Sequence, residues 1–183
     1  TSNASPNYVP RTRIGGVEAW VCKGREAQGQ MMYGVRSAGR VCAPQKSVSV
    51  NQQTFASVAT VDASLANDGN QVRTCVCVES SPVAWWGTQL KRAAVDPTLY
   101  IYASGDCCAN SVPDEAAEPM TVYIGASSDF SAATQCGSFD PAGRAGYVVG
   151  NIECSGSGSY IFVSAPNKLS LVEVKVYTLN DLD

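Results

Sequence analysis

Short runs of β-branched and aromatic residues, separated by Gly, Pro, Asp and Asn, follow one another from residue 46 onward. Such runs predict strands at residues 48–50, 98–102, 121–125, 147–149, 160–163 and 169–177. In the last run Val172, Val174 and Val176 share one face and Glu173 and Lys175 the other, as in a strand half buried against a core. No segment carries a helical stripe, so the pattern predicts an all-β sandwich or jelly roll.

The first 45 residues differ, with many glycines, little periodicity and a polar, Pro-containing start. We therefore expect two parts, an N-terminal extension of residues 1–45 and a domain of residues 46–183. Cys22 and Cys42 would close a loop of about 20 residues, which is worth on the order of 3 kcal/mol in the chain-entropy model. A cross-link from the extension to Cys75 or Cys77 is the alternative, because sequence does not fix connectivity.

Composition then indicates the compartment. The 183 residues include 8 Cys, 16 Gly, 9 Pro and no His, and the formal net charge is -3. This is typical of a secreted, loop-rich protein, so we expect an extracellular location and a mature chain that has lost a signal peptide. The charge argues against partners such as nucleic acid or an anionic membrane surface, and no apolar run approaches the roughly 20 residues of a membrane span.

Cys107 and Cys108 are neighbours in the chain. Two adjacent thiols either bond to each other in a strained eight-membered ring or tie one strand end to two separate places, and both outcomes need an oxidising compartment. A zinc site at Cys75 and Cys77 does not fit the usual templates, because there is no His and no second pair at metal spacing. Without His, nucleophilic Ser or Cys systems lack their usual base, so we expect no catalytic residues and no enzyme activity.

Several separated motifs together carry a family resemblance. They are Leu65-Ala66-Asn67-Asp68-Gly69-Asn70, Trp85-Trp86, Asp106-Cys107-Cys108, Val122-Tyr123-Ile124-Gly125, Cys136-Gly137 and Leu171-Val172-Glu173-Val174-Lys175-Val176-Tyr177. In order and spacing, residues 46–177 resemble the F-type lectin family. The resemblance implies a discoidin-like β jelly roll that binds fucose or related sugars beside a structural calcium ion, and it does not reach residues 1–45.

The resemblance implies specific calcium ligands. They are the carbonyls of Leu65, Asn70, Thr74 and Val172 and the side chains of Asp68, Thr74 and Glu173. Calcium binds six to eight hard oxygens, and residues 65–70 offer one carboxylate, several carbonyls and a glycine for a sharp turn. The alternative is that residues 67–70 form a simple turn, which their composition also favours.

The resemblance also implies two disulfides, Cys107–Cys108 and Cys136–Cys154. The family cysteine that precedes the final Glu is replaced here by Val172, so Cys75 loses its usual distant partner. Either Cys75 then pairs with Cys77, or one of these two reaches the N-terminal extension.

The sugar site departs from the family pattern. Fucose-binding members use one His and two basic residues beside a vicinal disulfide, and Cys77, Ser104 and Ser111 stand at those three positions. With Cys107 and Cys108 these are the candidate carbohydrate-binding residues. A serine hydroxyl cannot replace a guanidinium fork, so we expect fucose to bind weakly or not at all.

Two functional classes follow. The first is a non-catalytic, calcium-stabilised extracellular module that binds a glycan or glycoprotein, with Trp85 and Trp86 packing in or near the core. The second is a self-assembling subunit of an extracellular filament or coat, whose polar N-terminal segment adds a strand to an identical neighbour. The single sequon, Asn3-Ala4-Ser5, makes Asn3 a candidate for glycosylation.

Overall fold

The computed structural model describes residues 7–14, 17–23, 47–70, 75–80, 82–108, 116–143 and 146–178. Contacts divide the chain into two compact units, residues 1–46 with 179–183 and residues 47–178. In the first unit β1 (Asn7–Ile14) and β2 (Val17–Lys23) form an antiparallel pair. Several predicted sites lie outside the described residues: Asn3, Cys42, Thr74, Ser111 and the side chain of Cys22.

The described residues of the larger unit form nine strands. They are β3 (Thr54–Ala56), β4 (Val76–Glu79), β5 (Ala84–Val95), β6 (Thr98–Ser104), β7 (Met120–Gly125), β8 (Thr134–Phe139), β9 (Tyr147–Glu153), β10 (Ser157–Ala165) and β11 (Lys168–Tyr177). A five-stranded sheet has the order β3-β5-β10-β7-β8 and a four-stranded sheet the order β4-β11-β6-β9. Every pair is antiparallel. The predicted all-β sandwich is confirmed.

One hydrophobic core lies between the two sheets. Alternate residues of each strand enter it, among them Trp86 and Ile161 from the five-stranded sheet and Leu99 and Val174 from the four-stranded sheet. Trp86 is fully buried, and its indole N–H donates to the Ala63 carbonyl at 2.7 Å. This bond satisfies the single polar atom that the large side chain brings into the core.

Five of the six predicted strands are present, and the prediction at residues 48–50 is wrong. That segment is a bend and turn, in which Val48 N–H donates to the Val176 carbonyl and the Val48 carbonyl accepts from Lys91 N–H. The sequence reading missed β3, β4, β5 and β8. The 12-residue strand β5 contains Gly87 and adjacent Lys91 and Arg92, residue types that are uncommon in strands.

Strand β11 differs from its prediction as a half-buried strand. All its residues after Lys168 are buried. The register with β6 shifts between Leu171 and Glu173, so Val172 is the extra residue of a β-bulge and lies outside the core cluster. The prediction that three valines share the core face is therefore right for Val174 and Val176 and wrong for Val172.

Three disulfides connect described residues of the larger unit. They are Cys75–Cys107, Cys77–Cys108 and Cys136–Cys154. The third joins β8 to the end of β9 in the neighbouring sheet, as the resemblance implied. The predicted Cys107–Cys108 bond is wrong, and so is the alternative in which Cys75 pairs with Cys77.

Strand geometry explains the pairing. Cys75 and Cys77 are two residues apart, so their side chains emerge on the same side of the strand. They present two sulfurs side by side to the adjacent cysteines after β6, with Cα–Cα distances of 5.9 and 5.2 Å. Each of Cys107 and Cys108 therefore has its own partner, and no eight-membered ring is needed.

Peptide mapping under non-reducing conditions tests this pairing. Trypsin cuts after Arg73, Lys91, Arg92 and Arg144, which separates residues 74–91 from residues 93–144. We expect these two peptides to remain joined until a reductant is added. Release of peptide 74–91 without reductant would show that Cys75 and Cys77 pair with each other and would contradict the structure.

Candidate functional site

A short segment after β6 crosses the four-stranded sheet at one end of the sandwich. Residues 104–108, here called the strap, include a 3-10 helix at Gly105–Cys107. The strap is bonded to β4, although β11 lies between β4 and β6 in the sheet. On β11 the Ser170 hydroxyl donates to the Ser104 carbonyl. Two disulfides and this hydrogen bond therefore fix the strap across β11.

The structure brings together four of the five candidate sugar-binding residues. Cys77, Cys107 and Cys108 join in the two disulfides, and Ser104 begins the strap with no hydrogen bond from its side chain to the 3-10 helix. Ser111 is not described. Cys108 is buried, so the flat disulfide surface that the family offers to a sugar ring is absent among these residues.

Charged groups of both signs lie near the strap, since Lys168 of β11 is paired with Glu79 of β4. Asp106 is exposed on the strap, and Glu79 is exposed at the end of β4. Ligand atoms of Cys77, Glu79 and Cys108 lie within 4.8 Å of one another. Both sulfurs belong to one disulfide and cannot act as thiolates, so this group is not a metal site.

A second feature lies beside β11 three residues beyond Ser170. Glu173 is fully buried, and its Oε2 accepts a hydrogen bond from Gly69 N–H at 3.1 Å. Its Oε1 has no hydrogen-bond partner among the described residues. A buried, partly unpaired carboxylate is costly unless a cation or a proton neutralises it.

Burial, followed by the nearby negative charge of Asp68, raises the pKa of Glu173 to about 8. The Gly69 hydrogen bond and the positive charge of Lys175 act in the opposite direction. Without a cation the Glu173 carboxyl therefore holds a proton at neutral pH. Because its pKa in the unfolded chain is near 4.5, its burial destabilises the fold as pH rises from about 4.5 to 8.

The loop of residues 67–70 faces Glu173. The Asp68 carboxylate accepts from Asn70 N–H at 2.7 Å, and Gly69 has a φ of 84°, which glycine adopts without strain. Asn67 anchors this loop, because its buried amide donates to the carbonyls of Ser49 and Gln52.

The predicted carbonyl ligands are partly placed. Val172 is the extra residue of the bulge and has no register partner on β6. Its carbonyl is therefore not needed for the hydrogen bonds between β11 and β6. Leu65 lies in a 3-10 helix at Ala63–Ala66, and Asn70 ends the loop. Thr74 is outside the described residues. Asp68 and Glu173 are thus brought together with Val172, and a hard cation fits this oxygen-rich set.

Sequence reasoning missed two elements of this end of the molecule. The Gly69 backbone N–H is a direct partner of Glu173, which no side-chain pattern could reveal. The paired disulfides had a signal in the sequence, because Cys75 and Cys77 lie 32 and 31 residues before Cys107 and Cys108.

The two tryptophans have separate positions. Trp86 lies in the core as predicted. Trp85 is half-buried on the opposite side of β5, where its ring stacks on Phe130 with a centroid separation of 5.2 Å. The prediction that both side chains pack in or near the core therefore holds for Trp86, and Trp85 packs on the outer face instead.

No protein-family model and no curated protein matches the sequence. Solved structures do share the fold. A fucolectin from striped bass (Morone saxatilis) serum aligns with 73% of this chain and 48% of its own, at 22% identity and a TM-score of 0.57. This chain thus matches about half the length of that lectin.

Two further structures match nearly over their whole length. Chitosan-binding module 1, from a chitosanase/glucanase of Paenibacillus sp. IK-5, aligns with 73% of this chain and 99% of its own, at 19% identity and a TM-score of 0.53. The lectin domain of lectinolysin, solved with Lewis B antigen, aligns with 73% and 96%, at 17% identity and a TM-score of 0.53. At these identities the comparisons establish the fold alone, a discoidin-like β jelly roll.

Proposed function

We propose that the larger unit is a non-catalytic, lectin-like module that binds glycans and is stabilised by calcium. The observation that carries the calcium part is the buried Glu173 carboxylate, whose Oε1 has no hydrogen-bond partner among the described residues and which lies near Asp68. The glycan part is supported by the shared fold with modules solved with Lewis B antigen and with chitotriose. Fold likeness alone does not assign a ligand.

The three disulfides favour an oxidising, extracellular location. No helix in the described ranges is long and apolar enough to span a bilayer.

Calcium would be held by Asp68, Glu173 and backbone carbonyls such as that of Val172. It would neutralise the buried carboxylate and hold residues 67–70 against β11. Because β11 also contacts the strap through Ser170, the ion would stabilise the end of the sandwich at which we place the glycan.

Thermal unfolding with and without calcium tests the ion. We expect chelation to lower Tm by about 5–10 °C, since a ligand at 100 times its Kd adds about 2.7 kcal/mol. Glu173→Gln should abolish the calcium response and leave the metal-free protein at least as stable, because a neutral amide is buried without first having to take up a proton and still offers Gly69 an acceptor. Glu79→Gln, an exposed carboxylate on β4, is the control and should respond like wild type.

An unchanged Tm after thorough chelation would contradict the calcium proposal. Equal loss of stability for Glu173→Gln with and without calcium would also contradict it, because Glu173 would then have only a structural role.

We propose that the glycan contacts the strap and that fucose is not its main determinant. Ser104 cannot supply the donor fork of a basic residue, and the two cross-strand disulfides replace the disulfide that would face the sugar. The exposed Asp106 carboxylate can accept hydrogen bonds from sugar hydroxyls.

A glycan array is the direct test. We expect binding that does not depend on terminal fucose and that falls about tenfold in Asp106→Asn, since a charge-assisted hydrogen bond is lost. Asp140→Asn is the matched control, because Asp140 is also an exposed aspartate but lies in the turn after β8. Fucose-dependent binding that Ser104→Ala abolishes would overturn the specificity, and silence over the whole array would overturn the glycan proposal.

Self-assembly is a second candidate. Among the described residues β1 and β2 pair only with each other, and an isolated two-stranded sheet is marginally stable and leaves two edges free for another strand. Charge also favours association between copies, because residues 1–46 contain seven Lys or Arg and two Asp or Glu, whereas residues 47–178 contain six and twelve.

Electron microscopy of a concentrated sample tests assembly. We expect filaments or closed rings that dissolve at high salt, because screening weakens the attraction between opposite charges. A monomer that stays dispersed at every concentration and at low salt would exclude this candidate and leave the glycan-binding proposal untouched.

A further inference from the structure

The outer face of the five-stranded sheet carries a group of aromatic side chains. Strand register places Phe55 and Phe162 on either side of Gly87, and Tyr123 opposite Phe162. Trp85 and Tyr160 lie two residues from Gly87 and Phe162 on the same strands and thus on the same face. Phe130, from the segment between β7 and β8, completes the set, which we call the aromatic face.

The rings of the aromatic face form one connected layer. Trp85 stacks on Phe130 with an interplanar angle of 17°, and Phe130 meets Tyr123 edge to face at 5.1 Å. Tyr160 lies parallel to Phe162 at 6.5 Å and contacts Phe55 at 6.1 Å.

Phe162 is the floor of this layer. It is fully buried, and its ring lies directly over Gly87, where the Cβ of any larger residue would clash with the ring. The other five rings are half-buried and point away from the core between the sheets. The core between the two sheets does not include these rings. The packing of that core therefore does not explain why six aromatic residues lie together on the outer face.

The strand positions beside the rings are polar but uncharged, although Asp129 precedes Phe130 in the chain and Lys91 follows two residues after Gln89 on β5. Gln89 is paired with Tyr160, and Ser164 with Trp85. Gln135 is paired with Tyr123, and Thr121 with Ser164. None of these positions carries a charge, although the chain has a net charge of -3. Aromatic rings with a few amides and hydroxyls match a ligand that has apolar C–H faces and neutral hydroxyl groups.

We propose that the aromatic face is a second glycan-binding surface, which takes neutral polysaccharide chains. The C–H face of a pyranose ring would lie on Tyr160, Phe55 or Trp85, and its hydroxyls would bond to Gln89 and Ser164. The rings extend over β3, β5, β10 and β7, about 14 Å at the usual strand spacing of about 4.8 Å. That length suits a short stretch of a chain rather than one terminal sugar.

This surface is separate from the strap, since the strap crosses the four-stranded sheet and the aromatic face belongs to the other sheet. The two proposals can therefore fail independently.

Retention on insoluble polysaccharides tests the proposal. The probes are cellulose, chitin and a β-1,3-glucan, with anionic alginate for comparison. We expect retention on at least one neutral polysaccharide, and we expect Tyr160→Ala and Phe55→Ala each to weaken it about tenfold at an unchanged fold, because each removes one half-buried ring. Val95→Ala, which alters a side chain 51% exposed elsewhere on the unit, is the control and should bind like wild type.

Tryptophan fluorescence gives a second measurement. A soluble oligosaccharide of the retained polysaccharide should change the emission of wild type and should change that of Trp85→Phe much less, because Trp85 is the tryptophan that forms part of the aromatic face.

Several outcomes would overturn the inference. One is no retention on any neutral polysaccharide, and another is normal retention by folded Tyr160→Ala and Phe55→Ala. A third is sedimentation that shows wild-type dimers dissociated by Tyr160→Ala, since a second copy would then be the occupant. The Asp106→Asn variant distinguishes the two proposed surfaces. It should be retained on polysaccharide like wild type even if it loses binding on the glycan array.

Discussion

The end of the sandwich that holds the candidate site depends on where one buried carboxylate is placed. Leu169 and Leu171 face the core, so simple alternation along β11 would direct Glu173 into the core as well. The bulge at Val172 adds one residue and reverses the alternation. Val174 and Val176 then continue the core face, and Glu173 turns to the other side, where it meets Gly69. A single extra residue thus separates the hydrophobic core from a site that needs charge.

The strap is the second element that depends on β11. It begins at the end of β6, passes over Ser170 and reaches the edge strand β4, where two disulfides hold it. A cross-link that fixes both sulfurs of an adjacent cysteine pair to a strand leaves the strap little freedom to change shape. The strap is therefore preorganised by covalent bonds, which would lower the entropy cost of binding a ligand there.

Much of the fold could be predicted from the sequence, because residues 98–102, 121–125 and 160–163 combine β-branched and aromatic residues with clear turns. Strand β5 could not, since Gly87 and the Lys91-Arg92 pair weaken its local signal, and tertiary pairing with β10 and β3 determines its conformation. The bulge at Val172 was also hidden, because Val172 itself begins the regular alternation Val-Glu-Val-Lys-Val and nothing in that run marks it as the extra residue.

The site was predictable in part. Asp68 and Glu173 are distant in sequence, and the resemblance predicted that they lie close together. The structure places the charge of Asp68 near Glu173. The Cys136–Cys154 disulfide was predicted, whereas the pairing of Cys107 and Cys108 was missed, because the resemblance favoured a bond between these two neighbours over the signal in the spacing of Cys75 and Cys77. Replacement of the usual partner of Cys75 by Val172 and the appearance of Cys77 changed which sulfurs lie close together, and local geometry then determined the bonds.

The two outer faces of the sandwich differ in the charge of their side chains. The four-stranded sheet presents Glu79, Glu173 and Lys175 on the side away from the core, whereas the strand positions paired with the rings on the five-stranded sheet are neutral. Because both sheets pack against one core through their inner faces, substitutions on either outer face leave that packing unchanged. Side chains such as Cys77 and Ser104 can therefore vary at one end of the sandwich while the core between the sheets is retained.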